Sequence, residues 1–202
     1  MIFRYENPRV KVGFSFAAAV ALLFVFDKSG TAPIAVAACI AHECGHLLLL
    51  MIFGETPDEI SFEMFGMAIK RSGNCRLSLR QEAETALAGP ITNIAIAAVT
   101  ACAGQVFGNT NMIRPAALNL GIAVFNLLPV EPLDGSKVLY YILCLFFEPE
   151  KADRAVRTVS LAVLLPLAAA GFFVLIRSGY NFTLLIAAAY LIALFIKLKD
   201  PS

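Results

Sequence analysis

Apolar residues in this chain come in long runs rather than at alternate positions, and the runs are on the scale of a bilayer. A helix needs about 20 mostly apolar residues to cross the hydrocarbon core. Six stretches approach or reach that length: about 12–26, 31–53, 83–107, 112–129, 155–176 and 181–197. The first is short, so it is expected to tilt, to lie partly at the interface or to be extended by its neighbours. One segment departs from the pattern. In EISFEMFGMAIKRSG, Glu59 to Gly73, the apolar Ile60, Phe62, Met64 and Ala68 alternate with Ser61 and Glu63, while Phe65, Met67 and Ile69 blur the alternation. That is a fair strand signal, just after the second run. The fold expected is an all-α polytopic membrane protein with about six transmembrane helices and a small membrane-associated β-hairpin after the second. One integral-membrane domain covers 1–202, with no internal repeat, low-complexity tract or long linker.

Composition agrees with the runs. Of the 202 residues 59% are hydrophobic and 15% charged, and the mean hydropathy is +0.76. Soluble domains average about 45–50% apolar and about 25% charged, so this chain falls outside that class. Arg4, Arg9 and Lys11 precede the first run as they would in a signal peptide, but DKSGTAP after it offers no convincing small-x-small cleavage site. An uncleaved first span is expected. The five cysteines (Cys39, Cys44, Cys75, Cys102, Cys144) include no C-x-x-C pair and are odd in number, which argues against a disulfide framework or a cysteine zinc site. Small buried side chains are the plain reading of the four in or beside apolar segments.

A net charge of +1 points to no partner, and nothing here suggests nucleic acid. The distribution of charge is more informative. With the N-terminus in the cytoplasm, only Lys28, Arg114 and Arg177 of the sixteen Lys and Arg fall outside. The positive-inside rule therefore puts both termini in the cytoplasm of a multi-pass cell-membrane protein. The second and fourth spans then both run from outside to inside.

Into the second run the chain places AHECGHLLLL, Ala41 to Leu50. His42 and His46, the only histidines, are four apart and so share a helix face, near enough for two imidazoles to hold one ion. Glu43 completes H-E-x-x-H, in which the glutamate acts as general base beside a metal rather than as a ligand. Zinc explains the grouping, because it polarises a carbonyl and lowers the pKa of bound water toward about 7. Satisfied helix-face residues, or a proton relay in a transporter, are the alternatives; polar groups inside a span are expensive and usually functional.

A catalytic zinc site usually has three protein ligands and an open position. The third is expected from NLLPVEPLDG, Asn126 to Gly135, which ends the fourth run at the same cytoplasmic leaflet as the end of the second. His42 should lie roughly 16 Å below that end at about 1.5 Å rise per residue. Pro129 and Pro132 break the helix, so the chain could turn back inward and carry Asp134 to the metal. Asp134 before Gly135 is equally credible as a helix N-cap, and Glu131 reads as a solvated interfacial carboxylate. Gly89 and Pro90 in the third run fit close packing and a kink, and Asn93 an interhelical hydrogen bond. Lys137 to Arg157 reads as a cytoplasmic or interfacial linker helix.

Together HECGH and NLLPVEPLDG resemble the site-2 protease family of intramembrane zinc metalloproteases, and AGPITN, Ala88 to Asn93, is similar to a weaker third signature of that family. The resemblance covers about residues 31–135, with a two-span extension at about 155–202; no PDZ or CBS domain accompanies it. It implies that His42, His46 and Asp134 hold one Zn2+, that Glu43 activates water, and that Asn126 positions substrate or stabilises the oxyanion. The compact six-span layout resembles the sporulation branch. The implied partners are a transmembrane protein substrate, the lipid bilayer and, in some members, a regulatory membrane protein. Two rival classes stand beside this one: a metal-ion or proton transporter using the same cluster, and an inactive homologue that only holds membrane proteins.

Overall fold

The computed structural model describes residues 9–55, 57–63, 66–71, 77–178 and 183–197. Strand β1 (Arg9–Val12) leads into helix α1 (Phe14–Phe26) and helix α2 (Thr31–Ile52). Strands β2 (Pro57–Glu63) and β3 (Gly66–Arg71) follow, then α3 (Leu79–Val106), a single 3-10 turn (Thr110–Met112), α4 (Ile113–Asn126), α5 (Asp134–Leu143), α6 (Pro149–Ser178) and α7 (Thr183–Lys197).

Every apolar run has become a helix, but the helices are unequal. By length and apolarity α2, α3 and α6 can each cross a bilayer unaided; α1 and α7 are shorter apolar helices. Helix α4 has 14 residues, about 21 Å at 1.5 Å per residue. Large apolar side chains such as Phe14, Val25, Val99, Leu165 and Ile176 face outward. Such a surface suits lipid rather than water, where patches of this extent are rare.

Local chemistry sets the helix starts. The Asp27 carboxylate accepts the Ala32 N–H at 2.7 Å and the Ser29 N–H at 2.9 Å, closing the turn into α2. Gly30 there has φ 71°, a left-handed conformation that favours glycine. Helix α3 opens with a capping box: Ser78 Oγ accepts from the Gln81 N–H while Gln81 Oε1 accepts from the Ser78 N–H.

The segment after α2 forms more than the expected hairpin. Strands β2 and β3 pair antiparallel, and β1 adds parallel to β2, with Arg9 opposite Glu59 and Val12 opposite Phe62. The turn residues Met64 and Phe65 lie outside the described residues. The expected linker helix also differs: α5 ends at Leu143, and α6 begins at Pro149 ahead of its apolar run. Cys39, Cys44 and Cys102 are exposed on helix surfaces rather than buried, and Cys144 is half-buried; all four are unpaired. Cys75 lies outside the described residues.

Helix α3 is central. It packs against α2, α4 and α5, while α6 packs on α5 and α7. The α2–α3 approach is close: a Cβ on Gly45 would meet Thr92 Oγ1 and, at 2.7 Å, the Ala88 carbonyl. A hydrophobic core joins Val130, in the loop before α5, to Leu164 of α6 and Leu191 of α7, all essentially without solvent exposure.

Candidate metal centre

Helical spacing in α2 puts His42 and His46 one turn apart on its buried face, both against α3. The loop after α4 delivers Asp134 to the same point. Asp134 Oδ2 lies 3.0 Å from His42 Nε2 and 3.2 Å from His46 Nε2, and the two Nε2 atoms are 3.2 Å apart. All three residues are buried.

The far sides of the rings are committed. His46 Nδ1 lies 2.7 Å from the Thr85 carbonyl oxygen, which can only accept, so Nδ1 carries the proton. His42 Nδ1 lies 2.7 Å from Asn93 Oδ1. The Asn93 amide cannot be reversed without loss, because its NH2 donates to the Ala38 carbonyl at 3.1 Å and to Asn119 Oδ1 at 2.8 Å. In their neutral forms both imidazoles therefore turn a bare Nε2 lone pair toward the Asp134 carboxylate. Three electron-rich atoms facing one another at 3.0–3.2 Å repel unless a cation sits among them. Two imidazole nitrogens and one carboxylate oxygen form a donor set that zinc accepts, and protonated Nδ1 atoms bonded to oxygen are its usual outer partners.

The wall behind the cluster is main chain. A Cβ on Gly89 would fall onto His46 Nε2 and within 2.7 Å of His42 Nε2. Only glycine fits there, which gives the close-packing reading of Gly89 a specific purpose. Pro90 is fully buried beside it.

Asp134 is not a helix cap. It is the first residue of α5, Leu133 occupies the capping position, and no side chain caps that end. The carboxylate instead spends Oδ2 on the histidines and takes a bond from the Lys137 ammonium at Oδ1, 2.9 Å away. Gly135 lets α5 begin directly against the end of α4, where a Cβ would run into the Leu127 carbonyl. The loop is pinned from behind by Ser160 of α6, whose hydroxyl accepts the Glu131 N–H at 3.1 Å and donates to the Pro129 carbonyl at 3.3 Å. The Glu131 side chain is half-buried rather than solvated; burial raises its carboxyl pKa, and the nearby Arg157 opposes that rise.

Glu43 follows His42 on α2 and is half-buried, outside the group of three converging side chains. Asn126 is engaged within its own helix. At the end of α4 its amide donates to the Ile122 carbonyl of its own helix at 3.0 Å. The sequence reading missed Lys137, the Thr85 carbonyl and Asn119 as supports of the site; only Asn119, polar within an apolar run, left any trace there.

No family model matches the sequence. Over 136 residues the chain is 29% identical to stage IV sporulation protein FB of Bacillus subtilis, covering 66% of this chain and 47% of that protein. Over 120 residues it is 30% identical to a Synechocystis sp. protein described as a candidate zinc metalloprotease, covering 56% of this chain and 31% of that one. The matched region thus spans less than half the length of either relative. In structure the chain is similar to the site-2 protease from Methanocaldococcus jannaschii, with a TM-score of 0.69 across 100% of this chain and 95% of that one, at 18% identity.

Proposed function

We propose that this chain, which belongs to the site-2 protease family, is an intramembrane zinc metalloendopeptidase that cuts membrane-protein substrates within or near their transmembrane segments. The observation that supports this most is the meeting of two bare imidazole nitrogens and a carboxylate oxygen within 3.2 Å of one another, inside apolar helices. His42, His46 and Asp134 would hold the ion. When bound, zinc supplies Lewis acidity and brings the pKa of water toward about 7.

The remaining chemistry belongs to the side chains. Glu43 takes a proton from the attacking water, then gives it to the amine as the peptide bond breaks. Asn93 and the Thr85 carbonyl hold the imidazoles in register, and Lys137 holds Oδ1 of Asp134 so that Oδ2 keeps its aim. A role for Asn126 on the oxyanion requires its amide to leave the Ile122 carbonyl when substrate arrives. A helical substrate hides its carbonyls in backbone hydrogen bonds and must unwind before attack. The three-stranded sheet has two outer edges, on β1 and β3, where an extended segment could add as a further strand. Six spans, cytoplasmic termini and a water path from the cytoplasm complete the proposal, following the charge asymmetry.

The test is co-expression with tagged single-span proteins. Glu43→Gln should keep about one zinc per chain, since it is not a ligand, yet accumulate uncut substrate. Loss of metal or proton flux in proteoliposomes, with no proteolytic difference from wild type, would establish the transporter reading instead.

A further inference from the structure

A polar line crosses the apolar interior behind His42. Asn119 of α4 donates from Nδ2 to the Pro115 carbonyl one turn back, at 2.9 Å. That bond fixes the amide, so its Oδ1 faces Asn93, whose NH2 donates to it at 2.8 Å. Asn93 in turn has only Oδ1 left for His42, at 2.7 Å from Nδ1. Each amide is thereby locked by the one behind it. Both are buried, Asn93 at 0% and Asn119 at 3% exposure, so water does not readily substitute for a lost partner.

We propose that Asn119 is a positioning residue for the metal site, acting through Asn93 to keep the proton on Nδ1 of His42 and the lone pair of Nε2 aimed at the ion. The proposal rests on the zinc reading of the cluster. It gives α4 a part in holding the metal although α4 supplies no ligand. Without an acceptor at position 119, one N–H of Asn93 is stranded in an apolar interior. The Asn93 amide is then held in place by the Ala38 carbonyl alone, so its Oδ1 fixes the Nδ1 proton of His42 less firmly and the Nε2-protonated form, which blocks coordination, gains population. Thr85 holds His46 independently, so that ring should be spared.

The chain has two histidines, so histidine-selective 15N labelling gives two resolvable rings. Two variants separate positioning from bulk. Asn119→Leu keeps the size and removes the acceptor. Asn119→Asp, in its protonated form, keeps a carbonyl toward Asn93 and a hydroxyl toward Pro115. In the full chain in detergent, chelator competition should show zinc affinity falling by about 10–100-fold in Asn119→Leu, the range typical of outer-shell partners. Asn119→Asp should stay close to wild type. The 15N signals of His42 should move in Asn119→Leu while those of His46 stay. If Asn119→Leu does not accumulate, Asn119→Ala carries the same expectation, because it opens space rather than crowding it. Wild-type zinc affinity and unmoved His42 signals in an acceptor-less variant would overturn the proposal. A wild type that binds no zinc would instead overturn the metal reading, and the His42 signals would still decide what Asn119 does.

Discussion

At the residue scale the site rests on which atom of each side chain is spent where. Asp134 gives one oxygen to the histidines and takes the Lys137 ammonium on the other, so Asp134→Asn replaces a shared anion with a neutral amide. Zinc affinity should fall by more than the about 10–100-fold expected for an outer partner. Metal analysis of purified protein checks this, and full occupancy with normal turnover would return Asp134 to a structural role. Gly89→Ala pushes a methyl onto both Nε2 atoms, so metal content should drop with all three ligands still present. Much of this was legible in the sequence. A four-residue histidine interval puts both rings on one helix face, and charge asymmetry set the expectation that Asp134 ends at the same leaflet. Its competing role as a cap could not be dismissed beforehand, since Asp-Gly-Ser opens helices readily; only the direction of the side chain decides it. The Thr85 support was invisible, because a main-chain carbonyl carries no residue signature.

At the scale of elements the loop Leu127–Leu133 and its fastening to α6 matter most. Ser160→Ala leaves the Glu131 N–H and the Pro129 carbonyl without their partner; both bonds are partly buried, so the cost falls toward the low end of the about 1–3 kcal/mol for a fully buried unsatisfied group. The variant should melt earlier and release zinc faster to a chelator, although Ser160 touches no ligand. Asp27 offers a separate test at the start of α2. The Ser29 hydroxyl and then the Ala32 N–H hold its carboxyl at a pKa of about 2, against an ordinary 3.8. Because the folded value is the lower, this cap stabilises above 3.8 and its contribution is lost as pH falls toward about 2. Asn in its place should flatten that part of a melting-temperature profile. The helices were readable from their apolar runs, whereas β1 was not. Four residues of Arg-Val-Lys-Val read equally well as a basic flank, and their parallel partner lies two helices away in sequence. The break between α5 and α6 was likewise hidden in a stretch whose composition suits one linker helix.

At the scale of the whole molecule, the proposed zinc site would link metal binding to folding. A ligand that binds only the folded chain stabilises it by about 2.7 kcal/mol when its concentration is about 100 times Kd. Stripping the metal should therefore lower the melting temperature of the wild type, and of Asp134→Asn much less; matched scans with and without chelator measure the difference. The buried joint between Val130, Leu164 and Leu191 also bears on how the protein is made. A ribosome delivers the paired histidines early and the aspartate later, and the packing that fixes the aspartate's loop is synthesised later still. A nascent chain that has not yet reached Leu164 holds two imidazoles and a third donor whose loop still lacks its packing against α6 and α7. The site should thus take its final shape only once α6 and α7 have been made and packed against that loop.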